Sequence, residues 1–186
     1  MRLIMSTVRF MCQKKTEEDV PQENLRGTYC NVGKEDLFLV LQFLEDANLT
    51  ETARILEEES GIFFNMSYFE NIVTNGDWDK VERYLLAFTG INDNTNSTKI
   101  FYEIRRRKCL EALDMRETVK ARDILVNEIK ILSVPDEDVF ENLKHFFFLN
   151  NIRDHKLLSD YGDRESARAT MFADVKNFIE ENRLLL

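Results

Sequence analysis

Leu37-Phe38-Leu39-Val40-Leu41-Gln42-Phe43-Leu44, running on through Leu49, Thr52-Ala53 and Leu56 to Glu59-Ser60-Gly61, is the stretch that decides the fold. Leu37, Val40, Leu41 and Leu44 recur at i, i+3, i+4 and i+7, the period of one apolar helix face. A second helix carries its own signals: Asn48 as N-cap, Glu51 completing a capping box, and Gly61 where a helix ends in the left-handed region. Two helices this short cannot bury their apolar faces alone. They need a second copy of the chain or a following domain, so the pattern points to assembly before any chemistry is considered.

The rest of the chain agrees with helices. Its 186 residues suit one domain, or one domain plus an arm. Apolar residues make up 44% and charged residues 32%, ordinary for a globular chain. Six Gly, two Pro, several capping boxes and no regular alternation predict an all-α fold. Fourteen Phe against one Trp predict a core with aromatic anchors. The net charge of −9 disfavours direct binding to a nucleic-acid backbone, which needs a concentrated basic surface. Cys12, Cys30 and Cys109 have no metal-ligand spacing and read as reduced thiols. No run approaches the roughly 20 apolar residues of a membrane span. The stretch from Met1 to Cys12 is interrupted by Ser6-Thr7 and Arg9 and does not read as a secretory signal. Asn48, Asn65 and Asn96 head glycosylation-type sequons, yet each also falls where a helix is expected to start.

Residues 1–33 hold Lys14-Lys15, Glu17-Glu18-Asp19, Pro21 and Gly27 with no sustained period, and read as a poorly ordered arm. Met5 and Met11 are alternative starts. From Lys34 about nine helices follow in quick succession. A third runs from Asn65 to Asn75, closed by Gly76; a fourth opens at Asp77 with Trp78, Val81, Leu85 and Phe88. After the polar loop ending at Asn96, Ser97 caps a long fifth helix to about Leu113. The sixth places Ala121, Ile124, Leu125 and Glu128-Ile129 at helical spacing. Pro135 breaks the chain, and a seventh helix carries Val139, Phe140, Leu143, Phe146 and Phe147. A short eighth spans Ile152 to Leu158. Tyr161-Gly162-Asp163 is a turn, and the last helix carries Ala167, Met171, Phe172, Val175, Phe178 and Ile179.

Nothing here reads as an enzyme. His145 and His155 are the only histidines, and there is no glycine-rich loop, nucleophile elbow or metal-spacing motif. No metal or cofactor is expected. Arg105-Arg106-Arg107-Lys108, the one basic cluster, reads as a solvated helix face, since a helix spreads four consecutive charges around its circumference. Glu57-Glu58-Glu59 and Glu180-Glu181 read as solvated ends. Phe146-Phe147-Phe148 is different, because three consecutive rings cannot all face one core. Two belong in a core, and the third is offered to a binding or assembly surface.

The first two helices together resemble a LisH motif, a small helical dimerisation element. Gly76-Asp77-Trp78-Asp79, Val81 and Tyr84-Leu85, then Ile100-Phe101 through Lys108-Cys109-Leu110-Glu111-Ala112-Leu113, resemble a CTLH domain. The helices after Thr118 continue as a CRA-type element. On this reading residues 34–66 are LisH, 67–124 CTLH and 125–186 CRA-like. A finer likeness, over roughly residues 36–183, is to the N-terminal domain of the TOPLESS family of plant transcriptional co-repressors. It is carried by Glu59-Ser60-Gly61, Phe63-Phe64-Asn65-Met66, Tyr68-Phe69-Glu70, Asn75-Gly76-Asp77-Trp78-Asp79, Lys99-Ile100-Phe101, Tyr161-Gly162-Asp163 and Ser166-Ala167-Arg168-Ala169.

The resemblance implies an oligomeric, nuclear adaptor, a dimer or tetramer, that binds Leu-x-Leu-x-Leu repression motifs of transcription factors. It places the peptide groove on Lys99, Tyr102, Leu132, Val139, Phe146, Leu158 and Phe178. It places the first interface on Leu37, Val40, Leu41 and Leu44, and a second on Lys130, Lys144, His145 and Asn150. The family's basic and aromatic residues just before the lysine are replaced here by Thr95 and Asn96. Family members continue into a linker and WD40 propellers where this chain stops at Leu186, which implies an adaptor without the effector half. Two other readings stand beside this one. One is a scaffold subunit of a LisH-CTLH ubiquitin-ligase assembly. The other is a degenerate copy that oligomerises without binding peptide.

Overall fold

The computed structural model describes residues 33–132, 147, 163–182, 184 and 185. These residues hold α1 (Lys34–Asp46), α2 (Thr50–Ser60), α3 (Met66–Asn75), α4 (Trp78–Phe88), α5 (Thr95–Asp114), α6 (Thr118–Asp123), a π-helical turn (Ile124–Ile129) and α7 (Arg164–Glu180), and no strand. The all-α expectation holds among them. The arm before residue 33 and the helices expected around Val139 and Ile152 lie outside the described residues. The chain divides into two compact units, Met1–Leu56 and Glu57–Leu186.

In the first unit α1 opens at Gly33, whose N–H donates to the Asp36 carboxylate at 3.1 Å. It ends in a left-handed residue that is not glycine. Asn48 has φ +56°, its N–H donates to Glu45 O at 2.9 Å, and the Leu49 N–H reaches back to Leu44 O at 2.8 Å. This is a Schellman closure, and Asn is the residue after Gly that best tolerates it. Asn48 therefore ends α1 and does not cap α2. On α1 itself Leu41 is buried and Leu37 and Leu44 are half-buried. Val40, Leu39 and Phe43 are 45%, 62% and 60% exposed. The apolar surface of α1 is thus wider than the four-residue stripe and extends to a second side.

The second unit closes its own core. One buried cluster gathers Phe69, Ile72, Val73, Val81, Tyr84, Leu85, Ile100, Phe101, Ile104, Met171, Phe172, Val175 and Ile179, from α3, α4, α5 and α7. The other gathers Tyr102, Cys109, Leu110, Leu113, Ala121, Ile124, Leu125, Ile129 and Leu132 around the second half of α5. The phenylalanine bias is explained at Tyr84, whose ring packs against Phe64, Tyr68 and Phe88 with centroids 5.0–5.4 Å apart.

Helix ends follow the expected chemistry in places and depart from it in others. Asn65 caps α3 by accepting the Tyr68 N–H at 2.9 Å, and Gly76 closes it at φ +76°. The positive φ favours glycine there, and a Cβ on Gly76 would push against the Arg168 guanidinium. The fifth helix starts earlier than expected. Asn94 is the N-cap, accepting the Ser97 N–H at 2.8 Å. Ser97 and Asn96 lie inside α5. Ser97 is a buried polar link instead: its hydroxyl is 2.6 Å from that of Thr89 and accepts from Asn182 Nδ2 at 2.9 Å.

The charge clusters are the largest correction. Arg105 and Arg107 are 6% and 9% exposed, so the basic run is not a solvated face. Arg105 Nη2 donates to Glu82 Oε2 at 2.8 Å, and Lys108 pairs with Glu128 at 3.2 Å. Glu57 is buried too and accepts the Tyr84 hydroxyl at 2.9 Å, so it is no solvated end. Such groups enter a core only when paired, because an unpaired buried charge costs several kcal/mol.

Candidate functional site

The helix that positions the site is α5. Thr95 and Asn96 stand one turn before Lys99 near its start, with Tyr102 a further turn on. Lys99 is exposed, and its ammonium lies over the Phe178 ring of α7, 5.2 Å from the centroid. Phe178 is half-buried against the first cluster. That end of α7 is tied down by Asn182, which accepts from Asn94 Nδ2 at 3.1 Å and donates to Ser97. The start of α5 and the end of α7 are therefore fixed to each other at the point where Lys99 and Phe178 meet.

Tyr102 and Leu132 belong to the second cluster, at 9% and 7% exposure. Phe147, the described ring of the phenylalanine run, packs on the same cluster. Ile91 packs against both clusters and so lies where they adjoin. Of the seven groove positions, the structure thus brings Lys99 onto Phe178 and Tyr102 into one cluster with Leu132. Val139, Phe146 and Leu158 lie outside the described residues, as do Lys144, His145 and Asn150. Lys130 is exposed just past the π-helical turn.

A different group anchors the other end of α5. Glu111 is buried and accepts from Arg168 Nε at 2.7 Å, Arg168 Nη2 at 2.8 Å and Trp78 Nε1 at 3.1 Å. Arg168 also stacks over the Trp78 ring and donates to Thr74 O at 3.0 Å. This is a bidentate pair with a further donor on a backbone carbonyl, the geometry in which buried charges hold. The role of Arg168 was not read from the sequence. The signal for Arg105 was present, since it lies four residues after Phe101 on the core-facing stripe of α5.

The Cys109 thiol is pushed up to about 12, first by burial and then by Glu128, which leaves it inert at neutral pH. Among the described residues no group of His, Cys, Asp and Glu could hold a metal ion. No described helix is long and apolar enough to cross a membrane. An open hollow of about 610 Å³, lined by Arg116, Glu117, Thr118, Val119, Lys120 and Asp123, contains none of the groove residues.

The helices and caps describe a CTLH-type all-α module. Residues 65–186 match the family described as "TPR1-like, CTLH-containing domain", and the chain belongs to that family. It is 49% identical over 154 residues to Topless-related protein 1 and to Protein TOPLESS of Arabidopsis thaliana. It is 47% identical over 154 residues to Protein TPR3 of Oryza sativa subsp. japonica. Each of these alignments covers 83% of this chain, and the chain spans 14% of the length of each relative.

Proposed function

We propose that the chain is a non-catalytic adaptor of the TOPLESS co-repressor type, acting in the nucleus, that takes Leu-x-Leu-x-Leu repression motifs of transcription factors along α5. The observation that carries the reading is the strip on α5: an exposed cation at Lys99 held on the Phe178 ring, next to the apolar cluster of Tyr102 and Leu132. An alternating-leucine peptide needs apolar pockets and a donor for its carbonyls or acidic flank. Lys99 is that donor, and the pockets are completed by Val139, Phe146 and Leu158. Burying three leucines gives roughly 5–9 kcal/mol gross. Ordering the peptide takes back about 2–5 kcal/mol and association takes back more, so an affinity around micromolar or weaker is expected.

The chain works as a dimer or tetramer. A helix that is apolar on more than one side belongs in an interior, and a second copy of α1 supplies the cover for Leu39, Val40 and Phe43. Lys130, with Lys144, His145 and Asn150, forms the second interface of a tetramer.

Thr95 and Asn96 sit on the face of Lys99 without charge or ring. An added charge contact is worth roughly 0.2–1 kcal/mol and an aromatic surface about as much. Titration with a fluorescent Leu-x-Leu-x-Leu peptide should therefore give binding by the native chain that Thr95→Arg with Asn96→Tyr tightens several-fold. Absence of binding by both proteins would contradict the groove and leave an assembly scaffold.

A further inference from the structure

We propose that Arg105 is a positioning residue for the leucine-binding groove: it holds the π-helical turn at Glu128 and so sets where Leu132 stands against α5. The inference rests on the groove reading above. The turn follows α6 without a break, and both flanking residues, Asp123 and Lys130, keep right-handed helical angles. The Lys130 N–H donates to Leu125 O, five residues back, at 3.0 Å. Relative to an α-helix such a turn carries an extra residue. A register step of one residue rotates the later side chains by about 100° and moves them by about 1.5 Å along the axis. Leu132 comes three residues after Ile129, so its entry into the Tyr102 cluster depends on that register.

A wide turn needs something to hold it, and Glu128 is held twice. Its carbonyl, one of the last of the helix, accepts from Arg105 Nη1 at 2.8 Å. Its carboxylate accepts from Lys108 Nζ at 3.2 and 3.3 Å. Arg105 is itself fixed, with Nη2 on Glu82 at 2.8 Å and its side chain 7% exposed. One guanidinium fork therefore joins α4, α5 and the π-helical turn. A lysine, with one nitrogen, cannot span the Glu82 carboxylate and the Glu128 carbonyl in this way. Arg105 also lies one turn beyond Tyr102 on α5, so the residue that grips the turn is fixed to the helix that presents Tyr102 and Lys99.

The test uses the full chain and the labelled Leu-x-Leu-x-Leu peptide, with amide hydrogen exchange as the second readout. Arg105→Lys should weaken peptide binding about tenfold, the scale of a lost charged hydrogen bond. It should also speed exchange at the Lys130 amide while the α3 and α4 amides keep their protection. In a Leu132→Ala background the same substitution should cost less than about twofold, because coupled residues are not additive. Losses that add in the double variant would mean a general structural role and would overturn the inference. So would unchanged exchange at Lys130. Native-like binding by Arg105→Lys overturns the inference alone, whereas no binding by the native chain removes the groove reading and the positioning role together. If Arg105→Lys does not fold, Glu82→Gln, which loosens the other prong of the Arg105 fork, carries the same cycle with an expected loss of about threefold.

Discussion

Residues 33–56 and residues 57–185 solve the same problem in opposite ways. In the second region the apolar faces of α3, α4, α5 and α7 close on one another, and three of its buried charged groups are paired: Glu111 with Arg168, Arg105 with Glu82, Glu57 with Tyr84. In the first, α1 buries only Leu41 and leaves Leu39 and Phe43 more than half exposed. A helix apolar on more than one side is an interior element. The difference is that the described apolar faces of the body close on one another, while much of the apolar surface of α1 stays exposed.

The sharpest way to break that comparison is in the body. Arg168→Ala leaves the Glu111 carboxylate buried beside Trp78 without its charge partner and should cost about 3–5 kcal/mol of unfolding free energy, read by urea titration. A loss under about 1 kcal/mol would mean the body does not depend on its buried pairs. The matching change in α1 is Phe43→Glu with Leu39→Glu. Each removes an exposed apolar side chain worth roughly 1.5–3 kcal/mol when covered by another copy. These changes should lower the assembly state while the circular dichroism of the body is kept. A smaller effect is expected at Arg116, which ends α5 at φ +60° with its N–H on Leu113 O at 2.9 Å. Arg116→Gly relieves the left-handed strain, less the chain entropy of glycine, and should stabilise by about 0.5–1 kcal/mol.

The smallest effect is a pH dependence at the start of α7. Asp163 accepts the Ser166 N–H and hydroxyl at 2.8 and 2.9 Å, which holds its carboxyl below the ordinary value of 3.8. A lowered native pKa stabilises the fold above the ordinary value and loses that contribution as pH falls through the lowered one. Asp163→Asn should remove the pH dependence of α7 amide protection below pH 3.8.

The sequence carried the helix order because caps and apolar spacing are local. Asn65, Gly76, Asp77 and Gly61 could be read in place, and so could the inward faces of α3, α4 and α7. What was misread depended on contacts distant in sequence or on a choice between two neighbouring caps. Asn48 suits either the end of α1 or the start of α2, and only the backbone angle decides. Ser97 looks like a cap until Asn94 is seen to fill that place and the Ser97 hydroxyl turns to Thr89. Arg105 and Glu57 look solvated because their partners, Glu82 and Tyr84, lie 23 and 27 residues away. The π-helical turn has no signature in apolar spacing, since the extra residue mimics an ordinary shift of face. For the groove, the family likeness named seven positions, and the described residues place four of them, as two pairs along α5 and its neighbours.

The claim that α1 is an unfinished interior is tested most directly by the mass of the chain in solution. Sedimentation equilibrium of the 186-residue chain at micromolar concentration should return a multiple of its 22.0 kDa mass, twofold or fourfold. A single species at 22.0 kDa, with α1 still helical, would contradict it.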